Sequence, residues 1–374
     1  MTKEGNAIIF VATRHFAIYS SRERILTALI QFGYRVIVVG KADHTTKNLH
    51  DLNVETVDVS FDKSGFNIFR DMSFVLRLQR LIASVKPVVV HFFHAKPVIF
   101  GGFIRMSINT PDLRMFATIT GLGRAFEQSV LKRFAAGLAY KFFLKNYDSV
   151  IFQNNDDIQL FLDNDWVDKD SAKLVLGSGV DLSRFRVIND TIRSKIVFVS
   201  RLIKQKGVGD FVMLAERLAV RFPGYEFVLG GEYDETDPDT YSMANIINCE
   251  KAGYVKYESY VEDMPQLLAQ AALFVFPSVY REGVPRVCIE AVASGVPVVA
   301  YDVPGTREIV VNRVTGVLVD KGNYEELEGA VGRLLSDELE RESLALSGRN
   351  FVEKEFDLNN VVAKYLKIYE LEGN

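Results

Sequence analysis

Two glutamates, Glu282 and Glu290, stand eight positions apart in the stretch YREGVPRVCIEAVASGVPVV, on either side of a Gly-Val-Pro corner. The run LFVFPS before them reads as a buried parallel strand, and Pro285 suits a helix start because its fixed φ fits the first turn and its missing N–H is not needed there. Strand, loop, helix is the order this predicts. Glu282 then lies beyond the strand's carboxyl end beside the backbone amides of Gly283 and Val284, where open α/β sheets bind ligands. Glu290 falls within the first two helical turns. Carboxylates so placed can accept hydrogen bonds from the hydroxyls of a sugar, a ribose or both; alternatively they are a surface acid near a helix end and an i,i+4-type ion pair.

A second loop supplies the opposite charge. FVSRLIKQKGV ends a predicted strand with Arg201 and Lys206 ahead of Gly207 and a helix start. A guanidinium fork, a mobile ammonium and a helix N-terminus make a diphosphate site. In EFVLGGEYDETDPD, Gly230 and Gly231 close another strand where backbone can approach a ligand; the acids that follow read as a solvated turn, not a metal site. In the first half, VVVHFFHAKPVIFGG sets His91, His94 and Lys96 where a buried strand yields to a helix. His94 and Lys96 suit an anionic acceptor, and His91 reads as a core histidine. TITGLGRAFEQS ends a strand in Thr120, Gly121 and Gly123, a flexible corner without the third glycine of a dinucleotide fingerprint. ATRHFAIYSSR also lacks that fingerprint's glycines, so a nicotinamide or flavin site is disfavoured.

The elements that must carry these loops alternate along the chain. AIIFVA, RVIVVG, VETVDV, VVVHFF, RMFATIT and SVIFQN, then KIVFVS, EFVLGG, LFVFPS, PVVAYD and GVLVD, are short apolar runs separated by helix-length amphipathic segments. That rhythm predicts an α/β fold of two doubly wound, Rossmann-like domains with parallel sheets, facing each other across a cleft. LGSGVDLSRFRVINDTIRS between the halves reads as a linker. Val361, Val362, Tyr365, Ile368 and Tyr369 share a face of a final helix that can pack on either domain.

With 48% hydrophobic and 25% charged residues in 374, the chain has the composition of a globular protein, and no apolar run reaches membrane-span length. The opening MTKEGNAIIF has no secretory core, so a cytoplasmic location is expected. Cys249 and Cys288 form neither a disulfide framework nor a zinc site, and five histidines are scattered, so a metal-free, cofactor-free mechanism is expected. The net charge of −4 hides an asymmetry. Residues 1–147 carry 20 Lys and Arg against 10 Asp and Glu; the remainder carries 24 against 38. A basic first half points to an anionic partner. Nucleic acid is disfavoured for want of a recognition helix or stacking signature, leaving a diphosphate or an anionic membrane surface. FEQSVLKRFAAGLAYKFFLKN fits the latter: Leu131, Phe134, Leu138, Phe142 and Phe143 share a face edged by Lys132, Arg133, Lys141 and Lys145. Such a helix lies on a bilayer or packs that face into a core; the core packing is the expectation taken forward.

Taken together the motifs resemble a retaining glycosyltransferase of family 4, with the GT-B fold. EGVPRVCIE matches the family's two glutamates separated by seven residues, SRLIKQKG its diphosphate loop and GSGVDLSRF its interdomain signature; HAKP, ITGLG and YREGVPR further resemble the bacterial branch that extends polyprenyl-diphosphate-linked sugars, such as N-acetylgalactosaminyl transferases acting on lipid-linked bacillosamine. The resemblance implies an acceptor-binding domain over 1–188, a donor-binding domain over 189–357, and a terminal helix, 358–374, crossing back to the first. It implies that Arg201 and Lys206 neutralise a leaving diphosphate, that Glu282 holds the donor sugar with the Gly283 and Val284 amides beside Pro285 and Gly230, and that Glu290 holds the ribose. His94, Lys96, Thr120, Gly121 and Gly123 fall on the acceptor side. Many members have a histidine where Thr120 stands, so that histidine's role does not transfer. The implied reaction moves a sugar, an N-acetylhexosamine, from a UDP-sugar to a lipid-linked saccharide in bacterial glycan assembly, without metal, at the inner membrane face, with domain closure excluding water. The rival readings are a transferase with a soluble acceptor, an epimerase or phosphorylase on the same fold, and a non-catalytic scaffold of a polysaccharide assembly complex.

Overall fold

The computed structural model describes residues 6–59, 68–108, 110–122, 130–188 and 191–371. The chain divides into two compact units, residues 1–178 with 359–374, and residues 179–358. Each is built on its own parallel sheet.

The first unit holds β1 (Ala7–Arg14), β2 (Arg35–Lys41), β3 (Glu55–Asp58), β4 (Val89–Phe93), β5 (Arg114–Ile119), β6 (Ser149–Phe152) and β7 (Ala172–Leu174), in spatial order β3-β2-β1-β4-β5-β6-β7. Its connecting helices are α1 (His15–Gln31), α2 (Thr46–Asp51), α3 (Ile68–Val85), α4 (Ala95–Ser107), α5 (Val130–Leu144) and α6 (Asn155–Asp163). The first six residues of β1 and all of β4 are buried, and apolar but for His91, because helices cover both faces. The strand order reverses between β1 and β4, which opens a crevice at their carboxyl ends.

The second unit repeats the plan with β8 (Lys195–Val199), β9 (Glu226–Gly230), β10 (Lys256–Glu258), β11 (Ala271–Phe276), β12 (Val298–Tyr301) and β13 (Gly316–Val319), ordered β10-β9-β8-β11-β12-β13. Its helices are α7 (Val208–Arg221), α8 (Met243–Lys251), α9 (Met264–Ala269), α10 (Arg286–Ala293), α11 (Thr306–Ile309), α12 (Tyr324–Ser336) and α13 (Glu338–Glu355). Here the reversal falls between β8 and β11. The linker-like stretch at 179–188 lies with this unit, where Val180 N donates to Phe356 O and Arg349 Nη1 to Phe185 O.

The closing helix α14 (Leu358–Ile368) returns to the first unit. Val361, Tyr365, Tyr369 and Leu371 are buried against β1, β4 and α1 in one apolar cluster. His91 is the core histidine the sequence predicts: Nδ1 meets the Tyr369 hydroxyl at 2.5 Å and Nε2 the Thr118 hydroxyl at 2.7 Å. Arg22, only 2% exposed, lies between the rings of Phe93 and Tyr365, 5.4 Å from each centroid. A guanidinium tolerates that place because both ring faces attract it.

One expectation is overturned. The face of α5 expected to pack into the core looks outward: Phe134, Leu138 and Phe142 are 61%, 50% and 47% exposed. The opposite stripe packs instead. A Cβ on Gly137 would lie 2.1 Å from the Trp166 ring, and Tyr140 and Leu144 are buried. Periodicity reveals a stripe of small and apolar residues, but both sides of this helix offer one, and the closer-packing side wins the core. Two further strands, β7 and β10, carry no sequence signal, being three-residue edges with lysine or glutamate in them.

Candidate functional site

The loops at the β8/β11 reversal bring the cations and a carboxylate together. After β8 the chain makes one 3₁₀ turn, Lys204–Lys206, and enters α7 through Gly207 at φ +81°. A Cβ there would stand 2.1 Å from Pro277 O, so the turn rests backbone to backbone on the loop that follows β11. Val279 N donates to Gln205 O at 2.9 Å, closing the two loops on each other. Lys206 Nζ thereby reaches the Glu282 carboxylate and bonds to it. Arg201 is exposed, whereas the Lys206 residue is 7% exposed.

Tyr280 is the residue that sequence reasoning missed. Its ring centroid lies 5.9 Å from the Arg201 guanidinium carbon and 5.1 Å from Lys206 Nζ, and Phe276 lies 5.6 Å from the same ammonium. The ring faces hold both cations at the sheet edge without neutralising them. Gly305 was missed too. At φ +90°, its backbone crosses the Glu282–Gly283 corner so closely that a Cβ would fall 2.4 Å from Gly283 O. Only their position in space marks either one.

Pro285 takes the N-cap of α10, one residue ahead of the first helical turn. Gly283, Val284 and Pro285 are buried at this corner. Glu290, 6% exposed, accepts from Arg286 Nε at 2.7 Å. Burial pushes its carboxyl above the usual range, against the pull of Arg286 and, more weakly, Arg184. The buried Cys288 thiol stands within the fields of Lys206 and Glu290, and burial pushes it up. It is a packed side chain rather than a nucleophile. Gly230 closes β9 in the core, its absent side chain leaving room for Val261 and Val199.

The acceptor-side candidates gather at the β1/β4 reversal of the other unit. His94 caps α4 at φ +69° and places Nδ1 3.4 Å from the Thr13 hydroxyl. Apolar surroundings, with Arg22 nearby, lower its imidazole to about 4, so it is neutral at ordinary pH. Lys96 Nζ is engaged by Asp71 at 2.7 Å and lies 5.8 Å over the Phe100 ring. Thr120 and Gly121, at φ +106°, follow β5 beside them. Gly123 lies outside the described residues.

Two doubly wound units, one carrying paired cations and carboxylates at its switch point, have the arrangement in which open α/β sheets bind ligands. Residues 181–351 match the family described as glycosyl transferases group 1, and residues 8–154 match glycosyl transferase 4-like. The chain is a glycosyltransferase of this group, with the GT-B fold. It is 25% identical over 96% of its length, and 97% of the relative's, to the N,N'-diacetylbacillosaminyl-diphospho-undecaprenol alpha-1,3-N-acetylgalactosaminyltransferase of Campylobacter jejuni. It is 25% identical to the Escherichia coli UDP-Gal:alpha-D-GlcNAc-diphosphoundecaprenol alpha-1,3-galactosyltransferase, over 82% of this chain and 80% of that one. Among solved structures, Anabaena HepE in complex with UDP and glucose superposes with a TM-score of 0.80 at 18% identity, covering 98% of this chain and 99% of the other.

Proposed function

We propose that the protein is a retaining transferase that moves an N-acetylhexosamine from a UDP-sugar to a saccharide carried on a polyprenyl diphosphate, in bacterial glycan assembly at the inner membrane face. The observation that carries the reading is the meeting, at the β8/β11 reversal, of Arg201, Lys206 and Glu282, with Glu290 on the helix that follows. Full-length similarity to a transferase of undecaprenol-linked sugars supports the acceptor class.

In this reading the donor's diphosphate lies against Arg201, Lys206 and the first amides of α7. Lys206 exchanges its carboxylate partner for phosphate, and Glu282 becomes available to a hydroxyl of the donor sugar, which the Gly283 and Val284 amides also face. Glu290, aligned by Arg286, accepts from the ribose hydroxyls. Gly230 and Pro285 shape the walls. His94, Lys96, Thr120, Gly121 and Gly123 receive the acceptor. The acceptor hydroxyl attacks the anomeric carbon on the face from which the diphosphate departs; the C–O bond to the acceptor forms, the C–O bond to phosphate breaks, and the hydroxyl proton leaves with UDP. Retention follows from that same-face substitution. Two cations and a helix N-terminus meet the charge developing on the diphosphate, so no step is assigned to a metal.

The test is turnover of a panel of UDP-hexosamines and UDP-hexoses with a polyprenyl-diphosphate saccharide, by wild type and by Lys206→Met, with chelator present. Transfer of one sugar with α-linkage, reduced roughly 10²-fold or more in the variant, is expected. Equal transfer to a soluble saccharide without lipid diphosphate would remove the acceptor assignment.

A further inference from the structure

Helices α3, α4 and α5 cover the same side of the seven-stranded sheet, and their inner faces share one apolar cluster that includes Phe74, Ile104 and Leu144. They also touch one another. Gln79 Nε2 of α3 donates to Ser107 Oγ of α4 at 2.6 Å, and a Cβ on Gly102 of α4 would lie 2.6 Å from Phe143 O of α5. Their outer sides therefore form one continuous layer. That layer is apolar where solvent would favour polar groups: Leu76 is 45% exposed, Phe103 41% and Met106 55%, beside the outward stripe of α5. Phe134, Leu138 and Phe142 follow each other at four-residue spacing, so they form a single line along the helix.

Charge decides what suits this layer. Arg77 and Arg80 rim an apolar groove of about 440 Å³ on α3 together with Met72 and Leu76. Arg105 and Arg133 stand on the other two helices, Lys145 Nζ lies 4.7 Å over the Phe142 ring, and Lys141 is paired with Asp165 at 2.7 Å. The three helices contain one acid, Asp71, which is 6% exposed and occupied by Lys96. A cationic rim around an apolar stripe complements anionic headgroups over acyl chains; a second copy of the same face would bring like charges together.

We propose that the outer face of α3, α4 and α5 docks the protein onto an anionic lipid bilayer, the α5 stripe entering the boundary between headgroups and chains while the rim cations meet lipid phosphates. This rests on the reading that the acceptor is membrane-borne, and it names the surface that brings the enzyme to it.

The experiment is flotation of the full chain with vesicles of equal parts phosphatidylglycerol and phosphatidylcholine, and with phosphatidylcholine alone. Two variants are compared with wild type: Phe134→Ser with Leu138→Ser, and Arg77→Ser with Arg80→Ser. Their melting temperatures, and their stabilisation by UDP, verify that both units remain folded. Expected are binding to the anionic vesicles, weaker binding to neutral ones, loss on raising salt, and roughly tenfold or greater loss in each variant. Wild type that ignores anionic vesicles overturns the proposal, as does binding indifferent to both variants. A stripe variant that turns a dimer into a monomer in light scattering while keeping its vesicle binding also overturns it, in favour of self-association. Transfer to a short-tailed, water-soluble diphosphate saccharide is measured separately. Vesicle binding without such transfer strikes the transferase reading, and transfer without vesicle binding strikes the docking face.

Discussion

The Lys206 ammonium and the Glu282 carboxylate bond to each other across loops from two different strands, although 76 residues separate them in sequence. Both side chains are shielded, at 9% and 17% exposure, so each is the other's counter-charge more than water's. A site that neutralises its own cation must surrender that pairing when phosphate arrives. Glu282→Gln keeps the shape and removes the competing charge. UDP is expected to bind this variant as tightly as wild type or up to about tenfold more tightly, while sugar transfer falls roughly 10²–10³-fold. Calorimetric titration with UDP beside a turnover assay separates the two effects; parallel losses in both would show that Glu282 only holds the loop.

Glu290 makes stability and function diverge. Burial raises its carboxyl above the usual value, so over the interval between the two values the folded protein keeps a proton that the unfolded chain has released, and stability falls as pH rises through it. Above that interval the ionised side chain is a burden. Glu290→Gln is expected to melt with wild type at about pH 4 and roughly 1–3 °C higher at about pH 8, while stabilisation by a UDP-sugar weakens. Scanning fluorimetry at both pH values, with and without donor, reads all of this. A variant less stable at the higher pH would mean that the Arg286 pair outweighs burial.

His94 has the opposite sign. Its imidazole is lowered from 6.5 to about 4, so the unfolded chain binds the proton first and stability is lost as pH falls through that window. His94→Asn keeps a polar side chain at this position, φ +69° and ψ 155°, and removes the titration. The variant is expected to lose less melting temperature than wild type between about pH 6.5 and about pH 4. Equal acid sensitivity would place the acid-labile group elsewhere.

Gly207 and Gly33 form a matched pair for strain. Both have φ above +80°, but a Cβ on Gly33 meets nothing within 4 Å, whereas on Gly207 it meets Pro277 O at 2.1 Å. Gly33→Ala is expected to destabilise by about 1 kcal/mol from backbone conformation alone. Gly207→Ala adds the collision, and should lower both melting temperature and UDP affinity because the loops holding Lys206 and Glu282 must part. Undiminished UDP binding by Gly207→Ala would show that the loops need not touch.

The placement of the candidate residues was largely legible in the sequence because they sit where strands end. Arg201, Lys206, Glu282, His94 and Thr120 each follow a recognisable apolar run, and parallel sheets put such positions along one edge. Tyr280 was not legible, since an aromatic residue just past a buried strand reads as more core. Gly305 was not, because its neighbour Gly283 comes from another loop. The orientation of α5 was beyond periodicity for a related reason: its fit is decided by Trp166, a partner from a different segment. The three-residue edges β7 and β10 exist through hydrogen bonds to their neighbours, which composition does not encode.

The return of α14 to the first sheet reorders the history of the chain. During synthesis the first unit emerges early, yet Tyr365, Tyr369 and Leu371, which cover its β1 and β4, are made after the whole second unit. At about 5–20 residues per second, the 205 residues between Phe152 at the end of β6 and Leu358 at the start of α14 take on the order of ten seconds or more to make. Over that interval the side of the sheet that α14 will cover lacks its lid, and His91 lacks the Tyr369 hydroxyl. The second unit, contiguous in sequence, needs no such wait. The part of the protein translated first is therefore completed last, and a ribosome stalled in the final helix leaves the second unit whole and the first open.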